Sequence, residues 1–413
     1  MIGIIGFRYK STGTNINLHI TTVNQEPAHI RVTAPFVNLD KTYTVSNYTI
    51  VPLNGTLSQY ENGTQFKGIE ISSDVDISVT VTTSPHDLQE GFLALPVSAI
   101  GTRYVVASYY SSDYSEIVVT GVESDTDVSL KALTDNHKST NISFRLQKFE
   151  TYQYKSANDV SGSVVTSNKP VAVFSGSSGA NIPVGIGDWQ YLIEQMIPTK
   201  YWTTNFITPP IYPRRHYVLK FFSDQDSTEV HYYNSTNHFA VFMNKGSVAE
   251  FLFGTDPVVV LANKPISVIE YGHDGDNMIG DPFMTSVQGI TQFQNSYKFV
   301  TEKYYYNSDI VNTIAITILK NSTDGLLLNG HSMSYWNAKN ISVSPPLNEY
   351  ITLFVNVSYN TYYKLHHTSG MEFGAVLYGG LHVNAGYGYP LQLTFNDKGN
   401  FKARINYLFC KLF

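Results

Sequence analysis

One seven-residue segment occurs twice in this sequence, and its spacing constrains the fold more than any other feature. Asn168–Phe174 (NKPVAVF) recurs 95 residues later as Asn263–Ile269 (NKPISVI). A weaker copy begins at Ser73, and Glu372–Gly379 echoes the end of the second copy. Self-similarity at such a period is typical of repeat architectures. We therefore expect four tandem units of roughly 100 residues.

A second landmark repeats in step with the first. The apolar run Ile117–Val122 leads into Ser124–Asp127, and Tyr217–Phe222 leads into Ser223–Asp226. Weaker versions of this pattern follow Ile314 and Asn17. Polar segments rich in Asp and Ser between apolar runs are typical of turns. Each unit is therefore expected to open with a β-hairpin.

Apolar and polar residues alternate with a period of two, as in half-buried strands. Val75–Val81, Ile142–Gln147 and Ile351–Val357 all show this pattern. One face of each strand should pack and the other should be wet, as in antiparallel sheets. The 30 Tyr and 23 Phe also favour strands. Only Gln190–Met196 suggests a helix, of at most two turns.

These patterns predict an all-β fold of about four tandem, mutually packed β-sandwich-like repeats of roughly 100 residues. The alternative is a large-bladed, propeller-like array. Short apolar connectors such as Leu93–Val97 predict packed units rather than a flexible string. The expected repeats are 1–100, 101–208, 209–300 and 301–395. Residues 396–413 form a C-terminal tail with an apolar end, which we interpret as a truncated gene model.

Charge and hydropathy exclude some classes of partner. The net charge of −6 argues against nucleic acid, which requires a basic patch. The short basic run Arg214–His216 is expected to be a solvated loop. No apolar run reaches the roughly 20 residues of a membrane span. We therefore expect neither a nucleic-acid partner nor a membrane span.

Two features bear on the cellular compartment. The chain has a single cysteine, Cys410, which precludes an intramolecular disulfide and by itself favours the cytosol. A large secreted domain can also dispense with disulfides. The apolar start Met1–Phe7 is too short for a signal peptide. We therefore expect either that the true N-terminus is missing or that the protein is not secreted by the signal-peptide route.

The sequence contains Asn-X-Ser/Thr sequons, which accept N-glycans in secreted proteins. Asn141 and Asn356 fall on the polar register of predicted strands, where a glycan would be exposed. We expect N-glycosylation at Asn47, Asn54, Asn62, Asn141, Asn234, Asn321, Asn340 and Asn356.

Acidic residues offer weak candidates for chemistry. Asp274, Asp276 and Asp281 could supply oxygen ligands to calcium, but they lack the spacing of a calcium loop. We therefore predict no metal and no cofactor. The acid pairs Asp125/Asp127 and Asp224/Asp226 could serve glycoside hydrolysis. Because the pairs recur at the same place in two units, they are expected to be turn residues.

No catalytic arrangement emerges from the other candidates. Gly176–Gly179 lacks the spacing of a nucleophile elbow and is expected to be a turn. Gly280–Phe283 resembles a Gly-Asp-Pro-His self-cleavage motif but has Phe283 in place of the His. His366-His367 has no partner at metal-ligand spacing. We predict no catalytic residues and no enzyme activity.

Adjacent tyrosines are the remaining feature. They occur at Tyr109-Tyr110, Tyr232-Tyr233, Tyr304–Tyr306 and Tyr362-Tyr363. Neighbouring side chains in a strand point to opposite faces, so one of each pair should be wet. Exposed tyrosines suit recognition of protein or sugar, whereas buried ones would pack between units.

Three segments resemble the N-terminal domain of the IgG Fc-binding protein family. Ala94–Tyr104 is similar to the family pattern LPVSxLGxxY. Lys169–Gly176 and Leu192–Pro198 then resemble its KPVAVFSG and xxEQxxP segments, in the same order. The resemblance extends from about Asn15 to Pro390.

The resemblance implies a secreted, mucus-associated or cell-surface binding protein, with IgG Fc as a partner only through the family. The family typically has cysteines near Ser178-Gly179 and Gly187-Asp188, and von Willebrand-type modules downstream, both of which this sequence lacks. The leading hypothesis is a non-enzymatic extracellular adhesion domain that binds a glycoprotein or mucus component. The alternatives are a lectin-like module and a secreted hydrolase with an unrecognised site.

Overall fold

The structure, a computed structural model, describes residues 4–5 (backbone only), 14–23, 26–84, 88–133, 138–187, 189–273, 280–301, 311–380 and 386–395. The first ten strands are β1 (Ile4–Ile5), β2 (Asn15–Thr22), β3 (Ala28–Ala34), β4 (Leu39–Val45), β5 (Tyr48–Leu53), β6 (Ser58–Gln59), β7 (Gly63–Gln65), β8 (Glu70–Ser73), β9 (Ile77–Ser84) and β10 (Glu90–Leu93). The next seven are β11 (Gly101–Val105), β12 (Ser115–Gly121), β13 (Thr126–Leu133), β14 (Ser139–Leu146), β15 (Thr151–Ser156), β16 (Val164–Ala180) and β17 (Gln190–Gln195).

The second half of the chain continues in the same way. It contains β18 (Thr203–Thr208), β19 (Tyr217–Ser223), β20 (Thr228–Tyr233), β21 (His238–Met243), β22 (Val248–Phe253), β23 (Val258–Gly272) and β24 (Met284–Ser286). The last strands are β25 (Ser296–Val300), β26 (Val311–Leu319), β27 (Leu326–Leu328), β28 (His331–Ser332), β29 (Lys339–Ser342), β30 (Tyr350–Val357), β31 (Tyr362–His367), β32 (Gly374–Gly380) and β33 (Gly386–Pro390). Short 3₁₀ helices cover Pro35–Val37, Gly55–Leu57, Val97–Ala99, Thr199–Tyr201, Ile290–Gln292 and Lys320–Gly325.

The all-β prediction is confirmed, with several packed sheets. The helix expected at Gln190–Met196 is wrong, because this segment forms β17 and pairs antiparallel with β16. The turn expected at Gly176–Gly179 is also wrong, because these residues lie inside β16. In both places small or polar residues are fully buried between strands, so the sequence lacks the alternation of a half-exposed strand.

The repeated Asn-Lys-Pro segment marks the point where a long strand passes from one set of partners to another. Up to Ser167, β16 pairs with β13, and from Val171 it pairs with β12. The same change of partners occurs in β23, between its pairing with β20 and its pairing with β19. Proline has no N–H for a ladder, so Pro170 and Pro265 suit this switch.

The Asn and Lys of the segment bind the turn that forms the second sequence landmark. Asn168 Oδ1 accepts from the Asp127 N–H at 2.9 Å, and Lys169 Nζ donates to the Ser124 carbonyl at 2.6 Å. In the other copy, Asn263 Oδ1 accepts from the Glu229 N–H and Lys264 Nζ donates to the Asp226 carbonyl. The two sequence landmarks are therefore contact partners.

Strand pairing is the same in two stretches of the chain. The seven strands β11 to β17 pair around the long strand β16. The seven strands β18 to β24 pair in the same order around the long strand β23. In the first stretch of the chain, the equivalent of the long strand β16 is split into β8 and β9. In the last stretch it is split into β31 and β32. On this basis we propose four units. The division at 100, 208, 300 and 395 stays a prediction, and the pairing of β18 with β23 favours an earlier start for the third unit.

The final strand of each proposed unit lies at the centre of the molecule. β17 packs beside β10 and β24, and β33 packs beside β24 and β10. The first and last units thus contact each other, and Thr21 Oγ1 donates to the Lys298 carbonyl across that junction at 2.9 Å. We call β10, β17, β24 and β33 the inner strands.

The junctions between units are packed with aromatic side chains. Phe92 lies against Phe174 with ring centroids 5.4 Å apart, and Tyr109 lies 5.2 Å from Tyr271. Thr80 is also buried, although the strand alternation predicts a wet face for it. That expectation is wrong because the sheet containing β9 and β2 is covered on both sides.

Buried side chains accept hydrogen bonds from backbone N–H groups that lie at or near the edges of the inner strands. Glu90 Oε1 accepts from the Met284 N–H and Glu194 Oε2 accepts from the Ser286 N–H, both at 2.9 Å. Gln195 Oε1 accepts from the Leu95 N–H at 2.9 Å. These bonds link different units and meet the requirement that buried backbone groups be paired.

Burial also raises the pKa of the carboxyl groups at the centre. Desolvation raises the pKa of Glu194 to about 8, and that of Glu270 to about 8. The pKa of Glu90 is raised by desolvation, although backbone N–H groups partly oppose the shift. Glu270 Oε1 has no hydrogen-bond partner among the described residues, which is consistent with a neutral acid.

We expect the folded chain to lose stability as the pH rises from about 4.5 to about 8, and Glu270→Gln to reduce that loss. Between these values the acid is neutral when folded and ionised when unfolded, so unfolding releases a proton and a higher pH favours it. The Glu270 contribution has an upper bound of roughly 4–5 kcal/mol. Chemical denaturation of both proteins at pH 5 and pH 8.5 measures the difference. Parallel losses in the two proteins would contradict a neutral Glu270.

Candidate functional site

Two adjoining loops of the second unit carry three exposed aromatic side chains. One loop, residues 181–189, connects β16 to β17, and the other, residues 106–114, connects β11 to β12. The first loop is closed internally, since Asn181 Nδ2 donates to the Gly187 carbonyl at 3.1 Å. The Ile186 N–H likewise donates to the Pro183 carbonyl at 3.2 Å.

Backbone hydrogen bonds fix the two loops against each other. The Ser178 N–H donates to the Tyr114 carbonyl at 2.8 Å, and the Ser112 N–H donates to the Gly179 carbonyl at 3.2 Å. The Trp189 ring lies over Gly179, where a Cβ atom would be 3.1 Å from the ring. A glycine at this position therefore allows the indole to lie close to the strand.

Five large apolar side chains of these loops are exposed, and we call them the aromatic loop surface. They are Tyr110 (44% exposed), Tyr114 (42%), Val184 (55%), Ile186 (45%) and Trp189 (37%). Asp113 and Asn181 are partly exposed beside them. Several exposed apolar side chains on adjoining loops, next to polar side chains, are typical of an interaction site.

A buried acid lies under one edge of this surface. Glu116 is fully buried, and desolvation raises its pKa to about 8 even though Lys155 Nζ lies 3.1 Å from its Oε1. The Lys155 ammonium also lies 5.3 Å from the Tyr114 ring centroid, a cation–π contact that orients the ring.

The tyrosine pairs divide between the two uses that the sequence allowed. Tyr109, Tyr232 and Tyr363 are buried, whereas Tyr110 is exposed. Tyr109 packs between units, and its hydroxyl donates to Glu250 Oε1 at 2.9 Å. Tyr304–Tyr306 lie outside the described residues. Tyr110, which contributes to the aromatic loop surface, is therefore the outward member of the pair Tyr109-Tyr110.

The acid pairs in the turns have structural partners. Asp127 accepts from Arg145 at 2.7 Å, within the same hairpin. Asp224 forms a two-bond pair with Arg103 of the preceding unit, at 2.5 and 2.6 Å. The turns thus position a neighbouring strand or unit.

The weak metal candidates are only partly described. Asp274 and Asp276 lie outside the described residues, whereas Asp281 is buried. Across the described part of the chain, no group of three or more His, Cys, Asp or Glu residues could hold a metal ion. His367 is in β31, and its Nε2 lies 2.7 Å from the Ser322 carbonyl oxygen.

Arg214 is not in a solvated loop, so the sequence-based expectation for it is wrong. It is 5% exposed, and its guanidinium donates to the carbonyls of His273 and Asp281 at 3.0 and 2.8 Å. The guanidinium also lies 5.4 Å from the Phe283 ring. Arginine can be buried where backbone carbonyls and an aromatic face replace its water, and no local pattern signals this.

The sequon asparagines lie at or near the surface. Asn234 is half-buried, and seven are exposed: Asn47, Asn54, Asn62, Asn141, Asn321, Asn340 and Asn356. Asn141 lies on β14 and Asn356 on β30. Their glycosylation remains a prediction.

Among the described residues, three of the surface cavities have volumes of about 220, 310 and 660 Å³. The smallest is lined by Tyr201, Trp202 and Phe395 and contains no acid. The other two each contain one aspartate, Asp76 and Asp127. None of these three cavities combines two carboxylates as a glycosidase site would.

The molecule is an all-β protein in which a rigid array of sheets presents an aromatic surface on loops, where binding residues commonly lie. A family model described as IgGFc binding protein matches residues 90–379. The chain belongs to this family, which confirms the resemblance seen in the sequence.

A curated relative is the human IgGFc-binding protein. It is 26% identical over 331 residues, which cover 76% of this chain and 6% of the human protein. The family match runs from the first inner strand, β10, to β32, and it includes the aromatic loop surface. Within the described residues, no helix combines the length and the apolar character needed to cross a membrane.

We expect Trp189→Ala combined with Tyr114→Ala to lower the free energy of unfolding by no more than about 2 kcal/mol, because the rings are 37% and 42% exposed and pack on one side only. Trp202→Ala is the matched control. Trp202 is buried in the core of the second unit, so its loss should cost about 3–5 kcal/mol. Urea unfolding measures both values. A large cost for the double variant would assign these rings to the core.

Proposed function

We propose that this chain is a non-enzymatic extracellular binding domain that binds a protein or glycoprotein ligand through the aromatic loop surface. The observation that carries this proposal is the exposure of Tyr110, Tyr114 and Trp189 on hydrogen-bonded loops inside the family-matched segment. Tyrosine and tryptophan give large contact areas at little cost in conformational entropy. Rigid loops preserve that advantage, because less order is gained on binding.

The proposed ligand is a mucus glycoprotein. The membership of the family supports a protein partner, and the name of the human relative states that it binds IgG Fc. Because this chain matches only a small part of that protein, Fc binding here is a separate hypothesis. A glycoprotein would offer both a polypeptide and sugars to the surface.

A lectin-like module is the second candidate. Asp113 and Asn181 lie beside the aromatic side chains, and sugar sites commonly combine a ring face with such polar groups. Ser178 Oγ donates to Asp113 Oδ2 at 3.0 Å, which fixes this carboxylate at the edge of the surface. A lectin would bind the released glycans as well as the whole glycoprotein.

We expect the chain, expressed behind an added signal peptide in eukaryotic cells, to be secreted and to carry glycans at Asn141 and Asn356. Both asparagines are exposed on strands, so a glycan would not displace packed groups. Mass analysis before and after enzymatic glycan removal measures occupancy. A retained, aggregated product that folds unmodified in a cytosolic host would contradict an extracellular location.

We expect the secreted chain to bind immobilised mucin, and Trp189→Ala with Tyr114→Ala to weaken binding at least about tenfold, as for central aromatic anchors. Tyr335→Ala is the matched control, because Tyr335 is exposed far along the chain in the fourth unit. Biolayer interferometry against mucin, deglycosylated mucin, released glycans and IgG Fc separates the candidates.

Each ligand in that comparison tests one candidate function. Binding to deglycosylated mucin supports a polypeptide ligand, and binding to released glycans supports the lectin-like reading. Binding to IgG Fc alone would replace mucin as the ligand. Equal affinities of the double variant and the wild type would remove the aromatic loop surface from the account.

A further inference from the structure

Four strands hold equivalent places in the proposed units, and two of them have their outer edge covered by another strand. These equivalent strands are β5, β15, β22 and β30, each paired with the first long strand of its unit. β7 covers β15, and β29 covers β30, both in antiparallel orientation.

The cover on β15 is complete. Gly121 and Glu150 form a hydrogen-bonded pair, and such pairs alternate along an antiparallel ladder, so the backbone of Thr151, Gln153 and Lys155 points outward. β7 lies opposite Thr151 and Gln153. The Lys155 N–H donates to Asn62 Oδ1 at 2.8 Å.

β5 has no covering strand among the described residues, but its edge is protected in other ways. Pro52 interrupts the edge, since proline has no N–H. Sequons flank the strand at Asn47 and Asn54. Proline on an edge strand discourages the addition of another strand.

β22 has none of these protections in the described structure. It contains no proline and no sequon, and β19 is its one strand partner there. The Ser223 N–H donates to the Ser247 carbonyl and the Gly246 N–H donates to the Ser223 carbonyl, so both backbone groups of Ser223 face this strand. Because such positions alternate along an antiparallel ladder, the backbone groups of Val248, Glu250 and Leu252 point away from β19. Leu252 is 55% exposed, and Glu250 is also exposed. A bare edge of this kind is a template for an added strand.

We propose that the outer edge of β22 binds an extended peptide segment of a partner polypeptide, which adds as an antiparallel strand along Val248–Leu252. The short antiparallel strands that occupy the equivalent edges of β15 and β30 show what this edge accepts. The proposal concerns a different surface from the aromatic loop surface and stands independently of it.

The side chains of β22 define the chemistry of the peptide. A basic residue fits opposite Glu250, whose side chain is 44% exposed although Tyr109 donates to its Oε1 at 2.9 Å and Lys220 Nζ lies 3.4 Å from its Oε2. The neighbouring peptide residues face the side of Phe251, which packs against the buried Tyr232, and Tyr232 in turn contacts the exposed Phe239. Apolar β-branched residues fit there. The peptide thus alternates basic and apolar side chains.

A second copy of this chain fits the edge less well. Antiparallel pairing of two Val248–Leu252 segments, in the register that brings their outward backbone groups together, is centred on Glu250 and places it opposite the same residue of the other copy. Like charges directly opposite each other destabilise a sheet. A heterologous basic peptide avoids this contact.

The test uses a blocked synthetic peptide, Thr-Val-Lys-Val-Thr, with a central-proline analogue as control. Hydrogen exchange of the folded chain at millimolar peptide should slow at the amides of Val248, Glu250 and Leu252. The proline analogue should leave these amides unprotected. Absence of protection, or protection confined to other strands, would overturn the proposal.

A pair of variants tests the same edge. Leu252→Pro removes one outward N–H without touching the bonds to β19, and Leu252→Ala keeps that N–H. We expect the peptide to bind Leu252→Pro about five- to tenfold more weakly than Leu252→Ala, as the loss of a ladder bond implies. Equal affinities would contradict strand addition, and if Leu252→Pro fails to fold, the exchange experiment on the wild type decides.

Edge protection that grows with protein concentration, together with a dimer mass, would identify a second copy as the occupant and overturn the proposal.

Discussion

The fold depends on how the inner strands are paired once they are buried. A buried strand edge leaves backbone groups without water, and each unpaired group costs free energy comparable to a lost hydrogen bond. Glu90 and Glu194 supply the acceptors for the edge of β24, and Gln195 does so for Leu95. These bonds cross between units. The same side chains that solve a local problem of strand pairing therefore hold the units in one array.

A second consequence of this arrangement concerns the loops. Gln190 Nε2 lies 3.2 Å from the Gln89 carbonyl oxygen and 3.4 Å from that of Gly386, so three inner strands begin close together. Gly386 also lies against the Asp281 carbonyl, just before the fourth inner strand. The loop that precedes β17 carries Ile186 and Trp189 beside this meeting point. A rigid centre that presents a variable loop is a common way to build a binding site.

Much of the fold could be predicted from the sequence, because its signals are periodic. Strand alternation indicates the class, and the Asn-Lys-Pro repeat and the Ser-Asp turns indicate related units. The structure shows that these two landmarks touch, through Asn168 and Lys169. The errors share one physical cause. Gln190–Met196, Gly176–Gly179 and Thr80 lie where sheets are covered on both sides, and burial on both faces removes the alternation that marks a strand.

The candidate site was less predictable. Adjacent tyrosines do signal one outward ring, but which ring joins a surface depends on contacts between loops that are distant in sequence. No sequence pattern marks Trp189, whose position depends on its contact with Gly179. Arg214 shows the same limit, since its partners come from residues 273–281. Tertiary contacts of this kind leave no local pattern.

Hydroxyl-radical footprinting of the secreted chain, with and without bound mucin, tests the central claim most directly. Aromatic side chains report their own exposure to solvent in this measurement. The account predicts that bound mucin lowers the oxidation of Trp189, Tyr110 and Tyr114 and leaves that of Tyr335 unchanged. Unchanged oxidation of Trp189 in the complex, with protection elsewhere, would contradict it.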